Sequence, residues 1–513
     1  MYKVLEADKD AYITNRFIKI ASSGSFRTGS NVGAAGSLDL FKLFGTTFSS
    51  NDVANLELSR LLVHFNLQPL KDLISAGKIN VNSNSFNCYL KLFDVYGGQT
   101  TPSNFDISLY PLSKSFDEGS GRDVVYYSDY DACNFASASI NNPWISLGAN
   151  SGGSAETICD YITSSARITG TNLEVNQHFN TGEEDLNVDV TTIVSATLAG
   201  ILPDSGYRIS FDPSQESDQY SYFVKRFASK SAYNEAKHPR LIVKYNDSIQ
   251  DDSQNLRFDA QSSIFIRNYL FDEPSNILSG SSLSQVAGSN CLLLKLTTTL
   301  SNGSGTYDIF FTGSQHYDGL NYTTGLYSAS FIIPQSNVLL KNELMKSGSV
   351  VFTPVWASLD NTVGYLTGSK LTVYPPQISS KTIDFKNYVV TTSGLQDLHR
   401  SDENVFVRLN IFDHTSPLIK LVKKPIELSS LVLRKAYYQV RDVSTNEILI
   451  PFDETYSSTR ISSDSDGMYF NLDISNLTKE RSYTIDIMLV MGGTKKVFKS
   501  VSSVFKVSDT QVN

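Results

Sequence analysis

The stretch Ser59-Arg60-Leu61-Leu62-Val63-His64-Phe65-Asn66-Leu67 decides how this chain is read. It is apolar, half alternating and rich in β-formers, and it is strand length rather than helix length. The same texture returns at Asn87–Tyr96, Arg240–Tyr245, Cys291–Thr298, Val405–Phe412 and Tyr483–Val490. Most of these runs are bounded by Gly, Ser, Asn, Asp or Pro. Strands separated by turn clusters predict sandwiches or barrels rather than βαβ units. Asp466-Gly467 marks a hairpin turn. Helical evidence is confined to Leu67–Ala76 and to Ser195–Leu202, the latter with a Thr or Asp cap from Asp189-Val190-Thr191-Thr192. Ala21–Ser37 and Ser146–Ser154 read as long loops.

Polar joints divide the chain. Asn246–Asn255 follows one strand, and Tyr374-Pro375-Pro376 stops another. The expectation is an all-β chain of three consecutive β-sandwiches, jelly-roll or immunoglobulin-like, with long loops. Their bounds are 1–247, 248–375 and 376–513. The length of 513 residues suits about three domains. No repeat of fixed period points to a solenoid or propeller.

Composition narrows the function. With 41% hydrophobic and 19% charged residues the chain has material for cores. A net charge of −9 argues against a nucleic-acid binder and against polybasic docking on lipid. Cys88, Cys133, Cys159 and Cys291 form no CxxC pair, and the six histidines are scattered, so no zinc site or other cofactor is expected. The amino terminus lacks the apolar core of a secretory signal, and no apolar run is long enough to span a membrane. Synthesis in a cytosol is the expectation.

Within the first 247 residues, the order of short motifs resembles the DNRLRE-type β-sandwich, a family that includes carbohydrate-binding modules appended to polysaccharide lyases. The motifs are Ala11-Tyr12-Ile13, Leu62-Val63-His64-Phe65-Asn66-Leu67, Ile74-Ser75-Ala76-Gly77-Lys78-Ile79 and Leu90-Lys91-Leu92-Phe93. Phe116-Asp117-Glu118-Gly119, Asn142-Pro143-Trp144, Asp189-Val190-Thr191 and the closing Pro239-Arg240-Leu241-Ile242-Val243-Lys244-Tyr245 complete the set. A long insertion between Trp144 and Asp189 departs from the simple pattern. Further along, Phe311–Gln315, Leu326–Ser330, Tyr388–Gly394, Asn410–Asp413 and Ser463–Phe470 are similar to uncharacterised virion structural proteins of tailed bacteriophages. That resemblance implies a place in a particle and no reaction. It implies other virion proteins as partners (capsid, neck or tail subunits), a homo-oligomer in the particle, and assembly in the host cytoplasm.

The residues that carry chemistry are few. Asp117, Glu118 and Asp123 offer the paired carboxylates of glycoside hydrolysis, weighed against a solvated acidic turn. Asp129 with Asp131, and Asp464 with Asp466, alternate as calcium ligands do, but neither run completes the loop pattern. His64 lacks the G-x-S-x-G elbow that a hydrolase triad needs. His238, before Pro239, reads likewise as a packing residue. Ser301–Gly305 is a hairpin loop rather than a phosphate cradle. Tyr126, Tyr127, Tyr130 and Trp144 remain as rings to stack on a host-surface glycan, to anchor an interface or to cap the core. No catalytic, cofactor or metal residues are expected, and the chain is read as a non-enzyme.

Overall fold

The computed structural model describes residues 1–20, 23–45, 56–96, 101–125, 129, 131–154, 157–165, 167–168, 172–280, 283–301, 305–317, 321–376, 388–413 and 430–509. Contacts gather these into two compact units. One comprises Tyr2–Ile74 and Phe86–Lys244; the other comprises Met1, Ser75–Ser85 and Tyr245–Asn513.

The first unit is organised by one long strand, Tyr2–Thr14. Its first half pairs antiparallel with Arg240–Lys244, which continues to Asn87–Leu92 and then Leu186–Asp189. Its second half pairs with Leu56–Phe65, which continues to Tyr207–Phe211, Phe105–Pro111 and Val175–Phe179. A break in register between Ala7 and Lys9 lets one strand serve both sheets. The inner core holds Leu61, Val63, Ile107, Leu109, Leu90 and Leu241, all fully buried.

Imperfect alternation at residues 59–67 has a structural cause. The central strand Leu56–Phe65 is buried on both faces. Leu61 and Val63 face the sandwich core. Leu62 faces outward and packs, with Ala11, Ile13 and Leu58, against Leu112, Phe116, Phe135, Ala138, Trp144 and Ala149. The chain that follows the strand Phe105–Pro111 therefore folds back as a lid on the outer face of the sheet. A strand covered on both sides reads as a near-continuous apolar run.

The other unit contains two further sandwiches. In the first of them, Thr306–Tyr317 plays the same double part: its start pairs with Leu292–Thr299 and its end with Tyr322–Ile332. Gly313 lies at the changeover, where a Cβ would stand 2.8 Å from the Trp356 ring. The core between the sheets includes Ile264, Leu294, Tyr327, Phe352 and Trp356.

The last sandwich has the strand order of an immunoglobulin domain. One sheet runs Tyr388–Ser393, Asn404–Asp413, Gly467–Asp473, Ser462–Asp464, the order A-B-E-D. The facing sheet runs Phe505–Ser508, Ser482–Met491, Ala436–Asp442, the order G-F-C, with Leu398–Arg400 parallel to the first and Ile448–Ile450 beyond the last. Tyr438 and Phe470 stack at 4.4 Å between the sheets. The Tyr483 hydroxyl donates to the Thr478 carbonyl at 2.7 Å, the corner bond that closes many such folds. Tyr483→Phe is expected to cost about 1–2 kcal/mol, because it removes a bond to a buried carbonyl. A urea unfolding curve that does not move shows that this corner contributes nothing.

Each of the six β-rich runs forms a strand, and the Asp466-Gly467 hairpin forms with Gly467 at φ +131°. Of the two helices expected, one is Gln68–Ser75; the other is Thr191–Leu198, four residues earlier than read. Val190 occupies its cap position without a side-chain bond, so the Thr or Asp cap is corrected. Asp189 instead accepts the Thr191 N–H at 2.9 Å. Two further helices form, Pro213–Ser217 and Val338–Ser347, the latter with an Asn337 cap and a left-handed Gly348 at its end. The loop read at Ala21–Ser37 contains a short strand, Ser23–Phe26, paired with Phe17–Ile20.

The polar run Asn246–Asn255 is not a free linker. Gln250 bridges to Ser463, and Asp251 and Asp252 accept the Phe265 and Ser263 N–H groups at 2.9 and 2.8 Å. Arg434 clasps Asp252 with two bonds of 3.0 Å. These carboxylates satisfy donors on the edge strand Gln261–Arg267 that would otherwise invite another strand.

Candidate functional site

A cluster of buried charged residues lies beneath the lid of the first unit. Arg60 and Arg208 project from adjacent strands on the face that carries Leu62, and both are almost wholly buried. Arg60 binds Glu216 through Nε and Nη2, each at 2.8 Å, and donates Nη1 to the Gly148 carbonyl at 2.7 Å. Arg208 approaches the same carboxylate at 3.6 Å, bonds Ser210 at 2.9 Å, and lies 4.5 Å from the centre of the Tyr161 ring. Burial, then the neighbouring charge of Arg60, depress Arg208 to about 10. Glu216 stays below the usual carboxylate range because the two guanidiniums outweigh its own burial. Asp160, fully buried, accepts the Ile145, Ser146 and Ser151 N–H groups at 2.7–3.1 Å. The cluster therefore anchors the insertion to the sheet.

The carboxylates proposed for hydrolysis are not assembled as a cleft. Glu118 accepts the Asp10 N–H at 2.7 Å and pairs with Lys230 at 2.8 Å. Its carbonyl accepts from Asn31 Nδ2 at 2.7 Å. Asp117 is exposed, and Asp123 accepts the Val125 N–H at 2.7 Å in a local turn. Asp10 is the one acid nearby with a raised pKa, about 7, chiefly through burial. It has no exposed surface, so no substrate reaches it in this conformation. Raised carboxyls cluster at active sites, but only where a cleft exposes them.

His64 sits between two acids rather than beside a nucleophile. Nδ1 lies 2.6 Å from Asp8, and Nε2 lies 3.5 Å from Asp204, which also holds Lys71 at 2.9 Å. Burial opposes the imidazolium, but bonds to Asp204 and Asp8 outweigh it and raise His64 to about 9. An unfolded histidine titrates near 6.5. The stabilisation is therefore fully present below about pH 6.5 and is lost as the pH rises to about 9. The advantage of the parent protein over His64→Gln is expected to shrink by on the order of 2 kcal/mol between pH 6 and pH 9.5. Denaturant titration at the two pH values checks this, and an unchanged difference contradicts the charged pair.

The remaining sequence candidates disperse. Trp144 is 5% exposed, donates its indole N–H to the Asn134 carbonyl at 2.9 Å and packs in the outer core. The expectation of a glycan or interface contact there is corrected: neither ring face is open. Tyr126, Tyr127 and Tyr130 lie outside the described residues. Asp129 accepts the Asp131 N–H at 3.2 Å, a turn. Asp464 is held by Arg408 at 2.6 Å, with Asp466 3.7 Å from the same guanidinium. His238 binds the Ala232 carbonyl at 3.0 Å. Among the described residues no three His, Cys, Asp or Glu side chains gather as a metal cage, and no helix is long and apolar enough to cross a membrane.

Sequence reasoning missed an exposed hairpin. Tyr269–Leu270 pairs with Glu273–Pro274, and the two turn residues, Phe271 and Asp272, have φ of 51° and 66°. Both are left-handed, the geometry of a type I′ turn, where Asn-Gly is usual. Phe271 is 91% exposed, and Tyr269 and Leu270 are more than half exposed. The base is fixed, because Asn268 donates to the Gly325 carbonyl at 2.7 Å and to the Ser275 carbonyl at 2.7 Å. The run Tyr269-Leu270-Phe271-Asp272-Glu273-Pro274 was the available signal, hidden because it has no Asn-Gly or Asp-Gly pair at the turn.

No family model matches the chain, and no curated protein matches it. Among solved structures, the D00-D0 domain of intimin aligns with 9% identity over 50% of this chain and 96% of that one, at a TM-score of 0.14. Chicken CNTN1 FN1–FN3 domains align with 9% identity over 55% of this chain and 80% of that one, at 0.16. A mutant Salmonella alpha-2-macroglobulin aligns with 8% identity over 99% of this chain and 28% of that one, at 0.14. Superposition at this level carries no argument about what the chain does.

Proposed function

We propose that the chain is a non-enzymatic structural component of a tailed-phage virion that acts through protein–protein interfaces. The support from sequence is the resemblance of its segments to virion structural proteins. The observation that carries the reading is the Tyr269–Pro274 hairpin. A bulky side chain in left-handed backbone costs roughly 1 kcal/mol or more, and here it thrusts an apolar ring into water. Local rules are broken in this way where a surface has a partner. Three groups able to do chemistry are instead occupied by internal bonds: Glu118 by Lys230, Glu216 by two arginines, His64 by two aspartates. Repeated copies on a particle turn modest single contacts into durable attachment.

Cryo-EM of the purified particle tests the reading. Density that fits this chain, with the hairpin buried against a neighbour, is the expected result. Phe271→Ser is expected to lower incorporation into particles while leaving thermal unfolding unchanged. Absence of the chain from particles overturns the proposal. The glycan-adhesin alternative draws on the resemblance of the first sandwich and on Tyr126, Tyr127, Tyr130 and Trp144, and the burial of Trp144 removes one of those rings.

A further inference from the structure

The larger unit holds an open cavity of about 740 Å³ lined by residues of the edge strands Gln261–Arg267 and Leu371–Val373 and by Ser430–Val432. That volume falls in the range of ligand sites, about 300–1,000 Å³. Its charge is one-sided. Arg257, Arg267 and Lys370 line it, and no acidic residue is among the lining side chains, in a chain whose net charge is −9. Arg257 donates to the Pro375 carbonyl at 3.1 Å and Arg267 to the Tyr469 hydroxyl, so both guanidiniums are positioned by neutral acceptors. Asp464, whose field reaches Arg267, is paired with Arg408. Among the described residues no carboxylate forms an ion pair with any of the three cations. Three positive charges that no described carboxylate pairs with, gathered in a concave site, focus a field on an anion.

The rest of the lining mixes hydroxyl, amide and aromatic side chains with aliphatic ones, Ile264, Leu366, Leu371 and Val432 among them. Tyr374, 44% exposed, and Phe265 are among the lining residues. Aromatic faces stack on the apolar faces of sugar rings, while hydroxyls and amides bond ring substituents. We infer that this cavity binds an acidic oligosaccharide, one carrying carboxylate, sulfate or phosphate groups. The inference is independent of where the chain resides, and it places saccharide recognition away from the ring cluster read in the sequence.

Isothermal titration of the full chain tests it with three probes: a heparin-derived tetrasaccharide, a galacturonate tetrasaccharide and neutral maltotetraose. At least one acidic probe is expected to bind with a Kd below about 1 mM, and the neutral one not to bind. The two acidic arms separate sulfate from carboxylate recognition. Lys370→Glu, an exposed change, is expected to weaken binding at least about tenfold, as is Arg257→Glu with Lys370→Glu. Lys341→Glu, on the exposed face of a helix elsewhere, is expected to leave it unchanged. The inference is overturned if no acidic probe binds, if maltotetraose binds equally, or if Lys370→Glu binds as the parent does.

Discussion

Glu216→Gln is expected to destabilise the first unit by about 3–5 kcal/mol. The carboxylate is the shared partner of Arg60 and Arg208, whose side chains are 3% and 2% exposed. Removing its charge leaves two guanidiniums facing each other in a poorly solvated site. Glutamine keeps the shape and one acceptor, so the loss reports charge rather than packing. Breaking one side of a buried pair costs far more than the pair itself contributes, because the stranded charge keeps its desolvation penalty. Double replacement of Arg60 and Glu216 by Met and Gln is therefore expected to recover part of the loss. Chemical denaturation of the single and double variants measures both. A change below about 1 kcal/mol for Glu216→Gln shows that water reaches the cluster and that the lid does not seal it.

The second large effect is expected at Gly33. A Cβ there would lie 2.0 Å from the Glu118 carbonyl oxygen, so Gly33→Ala requires backbone to move. Its neighbour in space, Gly119, is constrained twice: φ is +77°, and a Cβ would stand 2.4 Å from Asn31 Oδ1. Asn31 ties the two turns together. Its Nδ2 donates to the Glu118 and Cys133 carbonyls at 2.7 and 2.8 Å, and its Oδ1 accepts from Gly121 and Gly33 at 2.8 and 3.2 Å. Every bond an amide side chain offers in this plane is used, and Asn31 is fully buried. We expect Gly33→Ala and Gly119→Val each to cost about 3 kcal/mol or more, through overpacking and, at Gly119, backbone strain. Gly36→Ala, where a Cβ meets nothing within 4 Å, is the control. Thermal melts that place Gly33→Ala beside Gly36→Ala contradict the packing described.

These effects explain why the acidic turn Phe116–Gly119 is legible as a motif on packing grounds alone. Gly119 is required by geometry, Glu118 by Lys230 and the Asp10 N–H, and Phe116 by the outer core. A motif that packs a turn so fully leaves the same trace in sequence as one that holds a substrate. Trp144 illustrates the same limit, since a loop-rich neighbourhood in sequence gave no sign that the loop closes over a sheet.

What the sequence determined by itself was local. Period-two runs, turn residues and the Asp466-Gly467 hairpin specify strands, because side-chain alternation and turn dihedrals act over a few residues. The all-β class follows from that periodicity alone. Tertiary structure decided the rest. That Leu56–Phe65 is covered on both faces, that Glu216 reaches Arg60 across 156 residues, and that Asp252 meets Arg434 across 182, are results of chain return. The cavity cations belong with these: Arg257, Arg267 and Lys370 are solvated charges along the sequence and a single field only in the fold. Burial and electrostatics depend on distance in space, and one sequence read in order carries almost no record of it.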